Sequence, residues 1–205
     1  MVEYDAAAQY EALGNGAAVV DLGSRTVVVV TGADRLEFMQ GMLTNDVAAL
    51  APGMACPALL LTIQGRVTAD PVVLALANAL WLDVEDEIAR DLQAALEKLI
   101  IADDVELASS GDHAIVGLVG PRAAACLPEA AEHGEWAHAE TSIDGVAARV
   151  LRGGFLGTAG YTPITAAGDA AELRRVLAAR GAVPVGAAAV EAYRIALGVP
   201  RLGID

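Results

Sequence analysis

The sequence has few aromatic residues, few basic residues and only two cysteines. Aromatic side chains make up 4% of the 205 residues while 55% are hydrophobic, so the core must be built mainly from alanine, valine and leucine. A chain of this length can bury such a core as one large domain or two small ones. No apolar run reaches the ~18 residues that a membrane-spanning helix needs, so we expect no transmembrane segment.

Acidic residues outnumber basic ones by 27 to 13, and the net charge is −14. A field of this sign repels phosphate backbones, and no Lys/Arg cluster offsets it, so we expect no binding to nucleic acid. The acidic N-terminus lacks both the basic segment and the long apolar segment of a secretory signal. The sequence therefore predicts a soluble, cytoplasmic protein that does not associate with a membrane.

The two cysteines, Cys56 and Cys126, lie far apart in the sequence. We expect buried free thiols, because free cysteine behaves as a small hydrophobic residue and disulfides are rare inside cells. His133 and His138 follow Cys126 with the spacing C-x6-H-x4-H. Zinc sites usually show closer pairs and a fourth ligand, so we predict no metal site.

Strand and helix patterns alternate along the chain without regular βαβ spacing. This is typical of an α+β fold with mainly antiparallel sheets. A second half of the chain begins near Ser109, which predicts two modules, 1–108 and 109–205, with one continuous domain 1–205 as the alternative. An amphipathic stripe predicts a helix over residues 86–100.

The stretch TIQGRVTADP, residues 62–71, lies between two apolar strands and contains a turn at Gly65. Proline cannot donate a ladder hydrogen bond, which confines Pro71 to a strand start, an edge or a bulge. Strand rules do not explain the spacing of Arg66 and Asp70. Asp70 is either a functional carboxylate, whose pKa burial would raise, or a solvated residue at the start of a strand.

Six segments follow one another along the chain: GADRLEFMQGMLTNDVAAL, LLTIQGRVTADPVVL, ALWLDVE, KLIIADDVEL, GLVGPRA and EAYRIALGVPRLGID. Together they resemble the folate-binding family of YgfZ-type proteins, which is related to the glycine-cleavage T-protein, an aminomethyltransferase. The resemblance implies two α+β modules and a C-terminal β-barrel around a central hole that holds tetrahydrofolate. It also implies that Asp70, in the segment matching GRVTAD, contacts the folate and supports one-carbon chemistry. YgfZ-type proteins serve iron–sulfur cluster assembly or repair.

The sequence departs from the family pattern at several points. It ends at Asp205 without the K-G-C-Y-x-G-Q-E motif of YgfZ-type proteins, so we expect a protein that lacks the C-terminal β-barrel. The paired acidic residues of T-protein relatives are represented by Ala69 and Asp70, and their pterin-binding Glu by Thr158 and Ala159. The missing carboxylates leave open whether the chain is an enzyme.

Three predicted site residues lie in the first half of the resemblance. Asp70 is the predicted catalytic residue and also a folate contact. Arg66 is predicted to bind the glutamyl tail of the folate or to pair with Asp70, with an exposed turn residue as the alternative. Asn45 is predicted to face the ligand or to stabilise its turn through side-chain-to-backbone bonds.

Three further predicted ligand contacts are Glu85, Tyr161 and Arg194. Glu85 ends a strand where the family often places a polar ligand contact. Tyr161 would stack on a flat ring, or would pack in the core. Arg194 would hold an anion, or would form a structural ion pair.

The sequence thus predicts a tetrahydrofolate-binding protein that supports iron–sulfur cluster assembly or repair. A tetrahydrofolate-dependent aminomethyl or one-carbon transferase is one alternative, and a non-catalytic scaffold that self-associates is another. The expected partners are a folate-type small molecule and either a second copy of the chain or an iron–sulfur assembly protein.

Overall fold

The computed structural model describes residues 5–153 and 155–205. The helices are α1 (Ala6–Asn15), α2 (Arg35–Met42), α3 (Asp86–Glu97), α4 (Ala123–Cys126), α5 (Ala170–Ala179) and α6 (Ala187–Leu197). The strands are β1 (Ala18–Asp21), β2 (Arg25–Thr31), β3 (Ala55–Pro57), β4 (Leu60–Leu61), β5 (Val67–Ala69), β6 (Val72–Ala75), β7 (Leu80–Glu85), β8 (Glu106–Ser110), β9 (His113–Val119), β10 (His138–Ile143), β11 (Val146–Arg152), β12 (Gly160–Ala166) and β13 (Val183–Val185).

The chain divides into two compact units, which are described separately. The first unit takes the described residues up to Gly23, those in the range 114–201, and Asp205. The second unit takes residues 24–113 and 202–204. Both units combine helices with a mainly antiparallel sheet, so the predicted α+β class is confirmed. The modules 1–108 and 109–205 stay a prediction about domains.

The sheet of the first unit has the strand order β10-β11-β12-β9-β1-β13. Strand β1 pairs antiparallel with β9 and parallel with β13. Helix α5 covers this sheet and buries Leu173, Val176 and Leu177, three residues at the i, i+3, i+4 spacing of one helix face.

The sheet of the second unit has the strand order β3-β6-β7-β2-β8, with antiparallel neighbours throughout. Helix α3 packs on it through Ala89, Leu92 and Leu96. The helix ends at Glu97, earlier than the predicted range 86–100. The chain turns there, because the N–H of Leu99 donates to the carbonyl of Leu96, and Leu99 is exposed.

The chain breaks from one sheet to another at Asp70 and Pro71. Strand β5 pairs with β4 in a separate two-stranded sheet, whereas β6 joins the main sheet between β3 and β7. Pro71, which has no N–H, lies in the break, and its carbonyl accepts the N–H of Ala58 at 2.9 Å. The predicted effect of the proline is therefore confirmed, and Asp70 is placed at the end of the main sheet.

Helix α4 begins at Ala123. Gly120 turns the chain just before it, with φ +113° and a carbonyl that accepts the N–H of Ala123. A Cβ atom at Gly120 would lie 2.5 Å from the carbonyl oxygen of Gly16, so only glycine fits this turn.

Both cysteines, Cys56 and Cys126, are buried free thiols, as predicted. Residues 5–153 and 155–205 contain no helix that is long and apolar enough to cross a membrane. Over the same residues, no group of three or more His, Cys, Asp or Glu side chains is arranged to hold a metal ion.

Candidate functional site

Charged side chains from strands β2 and β7 share one face at the end of the main sheet in the second unit. Arg25 of β2 lies opposite Glu85 of β7, and Val72 of β6 lies opposite Asp83. Opposite residues in antiparallel strands share a face, and side chains alternate with period two. Arg25, Asp83 and Glu85 therefore share a face. Asp70 lies in the break before β6, and the charges of Arg25, Glu85 and Asp83 act on its carboxyl group.

The guanidinium of Arg25 is held by strand β7. Its Nε lies 2.6 Å from Oδ1 of Asp83, its Nη2 donates to the Asp83 carbonyl at 3.1 Å, and its Nη1 lies 3.4 Å from Oε1 of Glu85. Asp83 is only 2% exposed, so this is a buried ion pair. A buried charge requires such a partner, because desolvation of an unpaired ion is very costly.

Asp70 differs from these residues because one of its oxygens is unsatisfied. Its Oδ1 is buried and accepts no hydrogen bond from the residues that the structure describes. Burial raises the pKa of Asp70, the positive charge of Arg25 opposes this rise, and the negative charges of Glu85 and Asp83 add to it. A buried acceptor without a donor is rare and costly in folded proteins, and a bound ligand that supplies an N–H would remove the cost.

This cluster, defined as Arg25, Asp70, Asp83 and Glu85, contains three carboxylates and one guanidinium. With all four groups ionised, its net charge is negative. Burial also raises the pKa of Asp83, against the charge and hydrogen bond of Arg25. The cluster is therefore suited to accept a proton or the N–H groups of a neutral or cationic ligand, and it disfavours an anionic group.

Arg66 and Asn45, both predicted ligand contacts, lie on the surface of the second unit. The Arg66 side chain is exposed and, within residues 5–153 and 155–205, pairs with no group, Asp70 included. Asn45 donates from Nδ2 to the Pro57 carbonyl at 2.7 Å and accepts the N–H of Asp46 at 2.8 Å. Asn45 therefore stabilises its turn, which was the alternative that the sequence offered for it.

Arg194 lies in the first unit and is 5% exposed. Its Nη2 lies 2.6 Å from Oε1 of Glu191, and its Nη1 lies 2.7 Å from Oδ2 of Asp205 and donates to the Val199 carbonyl at 2.9 Å. These contacts match the structural ion pair that was the alternative to an anion site.

Tyr161 is buried and lines a cavity of about 440 Å³ in the first unit. Trp136 forms another wall; its backbone has a positive φ of 60°, and its indole lies so close to Gly153 that a Cβ there would be 3.1 Å from the ring. Arg152 and Thr158 also line the cavity. Oγ1 of Thr158 is buried, with no hydrogen-bond partner in the described part of the chain.

Sequence reasoning did not identify Arg25 as a site residue, nor Trp136 and Arg152 as walls of the cavity. A charged residue at the head of the apolar run RTVVVVT was a signal for Arg25. Its partner Asp83, however, is 58 residues away in the sequence. Only the pairing of β2 with β7 brings the two together.

The arrangement of strands and helices is that of an aminomethyltransferase. The chain superposes on the crystal structure of glycine cleavage system aminomethyltransferase T from Bartonella henselae with a TM-score of 0.83. The two are 24% identical, over 94% of this chain and 54% of that chain. In the sequence, residues 2–205 match the GCVT N-terminal domain, and the chain belongs to that family.

Similar full-length proteins carry transferase names. The aminomethyltransferase of Bordetella petrii is 30% identical over 207 residues, which are 96% of this chain and 56% of that protein. A chloroplastic protein of Arabidopsis thaliana with a transferase name is 28% identical, over 93% of this chain and 46% of that protein. The chain therefore spans about half the length of the curated relatives that it matches.

Proposed function

We propose that this chain binds a reduced folate of the tetrahydrofolate type, with Asp70 as the residue that accepts an N–H of the ligand. The observation that carries the proposal is the buried, unpartnered Oδ1 of Asp70 beside the Arg25–Asp83 pair. Tetrahydrofolate presents several N–H donors along its pterin ring, and a donor is the partner that the unsatisfied carboxylate oxygen of Asp70 lacks. Membership of the GCVT N-terminal domain family and the aminomethyltransferase names of relatives support the same ligand class.

The residues present fit such a ligand at both of its ends. Asp70 and Glu85 accept N–H groups at the buried end of the cluster. Arg66 is exposed on the β4–β5 hairpin, and we propose that it pairs with the carboxylates of a glutamyl tail, because guanidinium pairs with carboxylate bidentately. When bound, tetrahydrofolate supplies the nitrogen that receives a one-carbon unit.

The cavity of the first unit is an alternative place for a flat, polar ring, separate from the Asp70 cluster of the second unit. Trp136 and Tyr161 offer aromatic walls, and the buried hydroxyl of Thr158 has a donor and acceptors to offer. Thr158 lies in the segment where T-protein relatives carry a pterin-binding Glu. A hydroxyl forms weaker hydrogen bonds to a pterin than a carboxylate does, so we expect lower affinity here than in those relatives.

The reaction class that we propose is aminomethyl or one-carbon transfer. Asp70 is suited to hold or release a proton at a ligand nitrogen, because burial brings its pKa closer to neutrality than that of an ordinary Asp. Formaldehyde release and aminomethyl transfer, measured in the presence of tetrahydrofolate, separate a transferase from a protein that only binds folate.

Calorimetric titration with tetrahydrofolate and its 5-formyl form tests the binding proposal. We expect Asp70→Asn to weaken binding about tenfold or more, because the amide N–H of the new Asn would face an N–H of the ligand, and two donors cannot bond to each other. Asp91→Asn is the matched control, since Asp91 is an exposed carboxylate on α3 of the same unit. Equal affinity of wild type and Asp70→Asn, or no binding at near-millimolar ligand, contradicts the proposal.

Support of iron–sulfur cluster assembly, as in YgfZ-type proteins, is the finer role that we propose for folate binding. Burial raises the pKa of Cys56 and of Cys126, so neither thiol is set up as a reactive thiolate. We therefore expect the chain to act through its folate site and an assembly partner. Repair of an oxidised iron–sulfur enzyme should depend on both the chain and Asp70.

Self-association is the proposed alternative for a non-catalytic scaffold. Ile63 at the hairpin tip and Ile101 after α3 are almost fully exposed on the second unit, and exposed apolar side chains favour association. Light scattering tests this directly. A strict monomer over a wide concentration range contradicts the scaffold alternative and leaves the folate proposal unaffected.

A further inference from the structure

We propose that Arg25 is a positioning residue of the candidate site, held in place by Asp83 and Glu85 so that its fixed positive charge keeps the buried carboxylate of Asp70 available as an acceptor. The inference deepens the folate proposal, because it rests on Asp70 being the acceptor. It assigns Arg25 and Asp83 to the control of Asp70 and not to contact with the ligand.

The guanidinium of Arg25 is oriented by strand β7. All three nitrogens of Arg25 are engaged by strand β7: Nε and Nη2 by Asp83, and Nη1 by Glu85. No hydrogen bond joins Arg25 to Asp70 within residues 5–153 and 155–205. Arg25 therefore acts on Asp70 through its charge, and its orientation is set by another strand.

The charged groups that act on Asp70 come from two strands of the same sheet. Arg25 on β2 favours the ionised carboxylate, whereas Glu85 and Asp83 on β7 and burial favour the protonated form. An opposite charge within about 4–6 Å typically lowers a carboxyl pKa by about 1–3 units. Without Arg25, only a backbone hydrogen bond would oppose the effects of burial and of the two like charges on the Asp70 pKa.

The chain offers a clear contrast in Arg66, which is closer to Asp70 in sequence but exposed. A charge in water is screened and acts weakly over distance, whereas a charge in a buried cluster acts strongly. The inference therefore predicts that the distant residue in sequence, Arg25, controls Asp70, and that its near neighbour Arg66 does not.

The experiment is an NMR titration of the Asp70 carboxyl carbon in the ligand-free protein, with the signal assigned by its loss in Asp70→Asn. In Arg25→Gln we expect the Asp70 titration midpoint to move upward by about one pH unit or more. In Asp83→Asn we expect it to move downward, because a repelling charge is removed and the charge of Arg25 is less compensated. Arg25→Lys keeps the charge, so its shift should be less than half that of Arg25→Gln.

Arg66→Gln is the matched control and should leave the midpoint unchanged. If Arg25 had only a structural role, replacing it would loosen the site. The titration midpoint of Asp70 would then fall toward the ordinary value of about 3.9 in both Arg25→Gln and Arg25→Lys. That result, or an unchanged midpoint in folded Arg25→Gln, overturns the inference. The titration needs no ligand, so failure of folate binding and failure of this inference are separate results.

Discussion

Two arginines, one in each unit, are buried among carboxylates, and they differ in the state of their partners. Arg194 of the first unit is matched by Glu191, Asp205 and a backbone carbonyl. Arg25 of the second unit is matched by Asp83 and Glu85, and a third carboxylate, Asp70, acts on it without a hydrogen bond.

The pKa values of the partner carboxylates move in opposite directions. Hydrogen bonds from Arg194 lower the pKa of Glu191 and that of Asp205, whose side chains remain 39% and 47% exposed. Burial raises the pKa of Asp83 and that of Asp70. Solvent still stabilises the charges around Arg194, which gives a structural clamp. Around Arg25 solvent is largely excluded, which leaves one carboxylate under strain and available to a ligand.

The largest expected effect comes from removing each arginine in turn. Arg25→Met leaves Asp83 buried and unpaired, which should lower the free energy of unfolding by about 3–5 kcal/mol. Arg194→Met should cost less, because Glu191 and Asp205 can return to water. Each unit contains one tryptophan, so urea unfolding can be followed through Trp81 in a Trp136→Phe background and through Trp136 in a Trp81→Phe background.

The double variant Arg25→Met/Asp83→Leu is the control for that prediction. Removing both charges should restore much of the lost stability, because no unpaired buried ion remains. If Arg25→Met and Arg194→Met cost the same, the contrast between the two clusters is wrong.

Replacing a carboxylate by an amide should change the free energy of unfolding in opposite directions in the two clusters. Asp205→Asn removes a stabilised charge and should lower stability at pH 7. Asp70→Asn removes a buried, unpartnered charge and should leave the protein as stable as wild type, or more stable by up to about 1 kcal/mol. Urea unfolding of the two variants at pH 7 measures both effects, and a clear loss of stability in Asp70→Asn would count against a strained carboxylate.

The pH dependence of folate binding should follow Asp70. A carboxyl group accepts an N–H most strongly when ionised, so affinity is highest above the Asp70 pKa and falls as the pH drops through it. Because burial raises that pKa, the loss should begin at higher pH than for an ordinary Asp. Calorimetric titrations from pH 4 to 8 measure this, over a range that begins at about the ordinary value of 3.9 and extends above it. The pH dependence should be absent in Asp70→Asn.

The smallest effect is expected for the exposed arginine. Arg66→Gln should weaken tetrahydrofolate about two- to fivefold, because a surface ion pair contributes about 1 kcal/mol or less. The difference should shrink at high salt, and stability should change by less than about 0.5 kcal/mol. Arg90→Gln on the exposed side of α3 is the control and should not change affinity. An effect that is independent of salt would exclude a solvent-exposed ion pair.

Local chemistry made part of this molecule predictable. The absence of an N–H in Pro71 predicted the interruption of the strand, and the structure breaks one apolar run into β5 and β6 there. Asp70 was the predicted functional carboxylate, and its buried oxygen is the unsatisfied one. The stripe of α3 was also predicted, apart from its last turn. Each of these follows from interactions between residues close in sequence.

The pairing of the charges was not predictable in the same way. Arg66 lies four residues from Asp70 and was the obvious candidate partner, yet it is exposed and unpaired in the described structure. The partner of the site is Arg25, because β2 lies beside β7 and β7 beside β6. Sequence spacing carries no information on which strands become neighbours across a sheet.

The sequence by itself determined the α+β class, the family and the position of Pro71 at a strand start, and it singled out the carboxylate that we propose as functional. These depend on backbone donors, local propensity and the pattern of apolar residues. The tertiary structure alone decided which arginine lies in the cluster with that carboxylate, and which of the two arginine clusters has the more buried carboxylates. Burial is a property of the packed sheet, and burial turns one ion pair into a structural clamp and the other into a candidate functional site.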